Sequence, residues 1–171
     1  MDKSLSFPDA IASTQDLMEQ MLENHLSESE IEKAIANLVS TQAGARGFFV
    51  AYLTSDLPLA DNPTPGVIKA LKSSPDVVSD LLVKNVAMSA AMKITHLRNN
   101  DETAASGSER VNRRTINSIQ QLKMAEVEKE VRELQSTIIK GEGSYQKFLT
   151  RWGYDREQRA KIAETISEID L

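Results

Sequence analysis

The chain has no cysteine among its 171 residues. Disulfides, thiolate metal ligands and cysteine nucleophiles are therefore excluded, and a reducing, cytoplasmic setting is the expected one. Histidine is nearly as scarce, with only His25 and His96. Neither has a second ligand at metal-binding spacing, and neither follows a Glu by three residues, as a di-iron bundle requires. Each lies near the end of a helical pattern, where a cation interacts well with the last carbonyls. No metal and no cofactor is expected.

Long apolar runs are missing too. The longest, residues 48–53, is far short of the roughly 20 residues a membrane span needs, and the first eight residues lack the pattern of a signal peptide. No nucleophile-elbow serine, calcium loop or phosphate loop is present; Gly44 and Gly47 lack the Lys-Ser/Thr that a phosphate cradle demands. Catalysis is left without a carrier. Aromatic residues amount to 5%, so a core must rest on Leu, Ile, Val, Ala and Met. No stretch alternates apolar and polar residues long enough to form a strand pair.

What remains is helical. The expected fold is an all-α bundle of six to eight helices, with residues 1–140 forming the bundle and 141–171 a short helical tail. Start signals recur along the chain. Ser6, Pro8 and Asp9 open a helix that runs to about residue 25, and Ser27 with Glu30 forms a capping box. A break or kink near Gly44 is expected to precede a short buried helix. Pro58, Pro63 and Pro65 mark a strap. Residues 75–98 are apolar almost all round, which places them centrally in a bundle, with Leu82 at the middle. Residues 99–107 are polar and read as a mobile loop.

Residues 108–140 contain neither Gly nor Pro and stop at Gly141-Glu142-Gly143, which predicts one long helix. Its apolar positions are Val111, Thr115, Ile119, Leu122, Val127, Val131, Leu134 and Ile138. The step from Leu122 to Val127 is the only one that is neither three nor four residues. A strict heptad is absent, so a two-stranded coiled coil is not compelled.

Charge is distributed unevenly. Residues 1–40 carry eight acids against two bases, whereas 144–161 carry five bases against two acids. An acidic front and a basic back complement each other within the fold or between two copies, or are simply solvated faces.

These features point to a non-catalytic protein that acts through protein–protein contacts, in a regulatory role and as a homodimer. Its candidate hot spot is the aromatic–basic tail: Tyr145, Phe148, Arg151 and Trp152. The structural alternative is that these rings dock the tail. A second candidate surface is Arg110, Arg113 and Asn117, which share a helix face. With Arg114 and Asn112 they would form the core of a nucleic-acid reading, but the acidic balance of the chain, and Val111 and Thr115 on the same helix, count against it. A different function class, a sensor or carrier for a small apolar ligand, would use an interhelical pocket lined by Phe48, Phe49, Tyr52, Met88 and Met92.

Overall fold

The computed structural model describes residues 5–171. Among them it holds nine α-helices and no strand, so the all-α bundle expected from the sequence is the fold, with one helix more than the expected range. The helices group into two compact units, one running to Leu81 and the other comprising Leu82–Leu171. The boundary falls inside a continuous helix.

The first unit holds α1 (Phe7–Leu22), α2 (Glu28–Val39), α3 (Gln42–Thr54), a 3₁₀ turn at Pro58–Asp61, α4 (Pro65–Lys72) and the first turns of α5 (Pro75–Arg98). The Asp9 amide donates to Ser6 Oγ at 3.2 Å to start α1. Ser27 and Glu30 close a reciprocal capping box on α2. The predicted break near Gly44 lies a few residues earlier. Thr41 caps α3, accepting from the Gly44 amide at 3.1 Å, and the helix then runs through both glycines. Those glycines are a packing device. A Cβ on Gly47 would lie 2.5 Å from Ala10 Cβ and 2.8 Å from the Phe7 carbonyl oxygen, so α1 and α3 touch backbone to backbone. In the same unit, α2 packs on α4. The Gly66 amide, in the first turn of α4, donates to Glu28 Oε2 at 2.7 Å, which places a carboxylate at the positive end of that helix. α1 ends one turn before the sequence suggests. Asn24 takes a left-handed conformation (φ 58°), the His25 amide donates to Gln20 O, and the His25 ring sits 3.2 Å from Glu23.

The second unit holds the rest of α5, then α6 (Glu102–Leu122), α7 (Ala125–Lys140), α8 (Gln146–Arg151) and α9 (Arg156–Ser167). The single long helix expected over 108–140 is two helices. Lys123 is left-handed (φ 50°) and donates its amide to Ile119 O, and Met124 is extended. Such a conformation costs a non-glycine residue on the order of 1 kcal/mol, so packing on both sides of the break must offset it. Leu122 and Val127, the two residues flanking the irregular step in apolar spacing, are both completely buried. The acidic first turn of α7, Glu126 and Glu128, suits the N-terminus that the break creates. The loop expected over 99–107 is mostly helix as well: Asp101 caps α6, accepting from the Ala104 amide at 3.0 Å. Among the described residues no helix is long and apolar enough to cross a membrane.

Candidate functional site

The tail of the second unit is laid along α7 by three of that helix's side chains. Glu130, Glu133 and Thr137 stand at i, i+3 and i+7, on one face. Tyr145 donates its phenol to Glu130 Oε2 at 2.5 Å, and its amide donates to Thr137 Oγ1 at 3.3 Å. Ser144 Oγ donates to Glu133 Oε2 at 3.1 Å. Gly143 (φ 145°) passes so close to Thr137 that a Cβ there would lie 2.5 Å from its hydroxyl oxygen. Chain turn and hydrogen bonds together fix where α8 begins.

α8 then ends in a Schellman turn. Gly153 is left-handed (φ 63°), its amide donates to Thr150 O at 3.0 Å, and the Tyr154 amide donates to Leu149 O at 3.3 Å. The apolar pair that this motif brings together, Leu149 and Tyr154, is buried. Burial pushes the Tyr154 phenol up to about 12. Phe148 is half-buried, edge-on to both Tyr145 (6.3 Å) and Tyr154 (6.1 Å), with the Lys84 ammonium 5.7 Å from its centroid. Trp152 sits at the outside of the turn and remains 50% exposed, with the Arg151 guanidinium 5.7 Å from its ring.

The turn fixes α9 in the same stroke. Asp155 caps it, accepting from the Gln158 amide at 3.0 Å, and Gln158 Nε2 donates to Ala91 O and Thr95 Oγ1 on α5. Arg98 reaches across to Asp155 at 2.6 Å and Glu157 at 3.0 Å. The hydrogen bond from Arg98, aided by the Gln158 amide, holds the Asp155 carboxyl below the usual carboxylate range. Both acids of the 144–161 segment are thus engaged by one guanidinium. Lys147, Arg151 and Arg156, all exposed, have no carboxylate within 4 Å among the described residues.

The four tail residues singled out from the sequence therefore divide. Tyr145 is an anchor, Phe148 is half an anchor, and Arg151 and Trp152 face outward. Lys147, not singled out, stands one helical turn before Arg151 on α8, and its i, i+4 spacing was the available signal. On α6 the polar residues are also dispersed. Arg113 is exposed, Arg110 and Asn117 are half-buried, and Arg114 is only 3% exposed. Asn112 turns inward and donates to Val86 O and Ser89 Oγ, while Asn117 accepts from Gln121. The rings of Phe48, Phe49 and Tyr52 belong to the first unit, where all three are buried. Phe48 stacks on Tyr52 at 5.0 Å and meets Phe49 edge-on at 5.3 Å. Met88 and Met92 lie in the second unit and are half-buried. The first unit also has an open cleft of about 230 Å³ lined by Gln42, Asp76, Val77, Asp80 and Leu81. Among the described residues no group of three or more His, Asp or Glu could hold a metal ion.

Residues 6–169 match the family described as uncharacterised conserved protein UCP020893. The match spans nearly the whole chain, and the protein belongs to that family. No curated protein and no solved structure matches it.

Proposed function

We propose that the protein is a non-catalytic, regulatory module that works by binding another protein, and that Trp152 with Arg151 is its anchor. One observation carries the reading. The tail is ordered by Tyr145, Leu149 and Tyr154, all buried, yet the turn they hold displays the chain's only tryptophan half-exposed beneath a guanidinium. Tryptophan and arginine are the side chains most enriched at interface hot spots, and a ring held in place by its backbone loses little entropy when a partner covers it. A cytoplasmic location belongs to the same proposal, on the chain's lack of cysteine.

Photo-crosslinking tests this. A photoreactive aromatic amino acid replaces Trp152, and the chain is expressed in its native cells and irradiated. The expected result is one or a few discrete adducts, absent when Arg151 is changed to Glu in the same chain. A diffuse smear, or adducts indifferent to that change, would overturn the reading.

A further inference from the structure

The chemistry around Trp152 specifies what it fits. The Arg151 guanidinium lies 5.7 Å from the ring, Lys147 stands one helical turn before Arg151, and Arg98 engages the two carboxylates of that segment. A complementary surface is acidic, with an apolar seat for an indole. α1 of this chain has that character. Between Phe7 and Leu22 it has no basic residue, and Asp9, Asp16 and Glu19, with Glu23 just beyond its last turn, follow one another at helical spacings on one exposed stripe. Like charges at i, i+3 and i, i+4 repel, by a few tenths of a kcal/mol per pair. Asp16 accepts from Gln20, a neutral partner, and Glu23 lies beside His25; among the described residues no Lys or Arg pairs with the stripe. Leu22, one turn after Glu19 and adjacent to Glu23 in the chain, is 49% exposed. An exposed apolar side chain beside an acidic stripe suits an indole beside basic side chains.

We infer that the tail of one copy docks on α1 of a second copy, with Trp152 on Leu22 and with Lys147 and Arg151 against Glu19 and Glu23. The inference rests on the reading of Trp152 as an anchor and names its partner. The basic patch cannot pair with its own like, so the contact joins two different surfaces. It is made twice in a closed two-fold dimer, or it propagates from copy to copy. Being built from exposed charges, it strengthens at low ionic strength.

Analytical ultracentrifugation of the purified full chain tests this without any other protein. Self-association is expected at about 0.1 M salt and should weaken toward about 1 M, as the screening length falls from about 10 Å to about 3 Å. Two charge-reversed chains, Lys147→Glu/Arg151→Glu and Glu19→Lys/Glu23→Lys, should each associate at least about tenfold more weakly alone. Mixed one to one they should recover association, because acidic tail then meets basic α1 and basic tail meets acidic α1. Circular dichroism of each chain establishes that it is folded. Failure of the mixture to recover, or association of either reversed chain at the wild-type level, overturns the inference. So does a wild-type chain that is monomeric at low salt and high concentration. In that last case, discrete photo-adducts at position 152 to a different protein would leave the anchor reading standing, and their absence would remove both.

Discussion

Tyr145 is the side chain on which the ordering of the tail depends, and two substitutions separate what its ring and its hydroxyl contribute. The ring is 3% exposed, so Tyr145→Ala removes an almost fully buried aromatic. Deletions of that kind cost about 3–5 kcal/mol. The edge-on contact with Phe148 is part of that loss. Tyr145→Phe keeps the ring and removes the hydroxyl that bonds to Glu130. Hydrogen bonds to a charged group contribute about 1.5–3 kcal/mol. Glu130 is half-buried and regains water when the phenol goes, so the lower end, about 1.5 kcal/mol, is expected. The ratio between the two variants is the diagnostic quantity, with alanine two to three times as costly as phenylalanine, roughly. Urea titrations followed by Trp152 fluorescence read the second unit directly, since the chain has no other tryptophan. Both variants should shift the midpoint and leave the slope unchanged. A Tyr145→Ala loss below about 1 kcal/mol would refute the docking of the tail through this residue.

Three further outcomes follow from the packing. Leu82→Ala, at a side chain with no exposure, should cost roughly 2–5 kcal/mol in denaturant melts, and a loss under about 1 kcal/mol would mean that α5 is peripheral. Gly47→Ala should destabilise by about 1–3 kcal/mol despite alanine's better helix propensity, because its Cβ would meet Ala10 and the α1 backbone; a stabilised variant would show that α1 and α3 have room to part. Asp155→Asn keeps the cap of α9 and deletes the ion pair with Arg98. Asp155 has a folded-state pKa below its unfolded value, so the stability it contributes is present above about pH 4 and is lost as pH falls through the lower folded value; the variant's acid melt should be correspondingly less steep, and identical pH profiles would contradict the assignment.

Local chemistry was legible from the residues. Ser6 and Ser27 mark helix starts because a cap needs only a side-chain oxygen and the amides two or three residues on, and the start and end of α5 follow from Pro75 and the polar run after Arg98. The break at Lys123 was not legible as such. No glycine or proline announces it, and tertiary packing holds a lysine in a conformation its own propensity opposes. The five-residue step from Leu122 to Val127 was its trace. The division of the tail into anchors and displayed groups was also hidden. Spacing showed an aromatic cluster, but one left-handed residue, Gly153, decides that Tyr154 turns in and Trp152 stays out. Arg114 is the remaining case: a guanidinium on a basic run reads as solvated, and here it is buried.

The contacts that close the two units differ in reach along the chain, and that difference orders events during synthesis. In the first unit the bond from Gly66 to Glu28 spans 38 residues, and the Gly47–Ala10 approach is of similar separation. In the second, Gln158 bonds to Ala91 across 67 residues and Arg98 to Asp155 across 57. Contacts of longer separation form more slowly and cannot form at all until both partners have left the ribosome. The first unit can therefore complete its packing while α9 is still untranslated. The carbonyl of Ala91 and the guanidinium of Arg98 wait for the last helix, and a nascent chain stalled before Asp155 would present α5 to chaperones with those groups still seeking their partners.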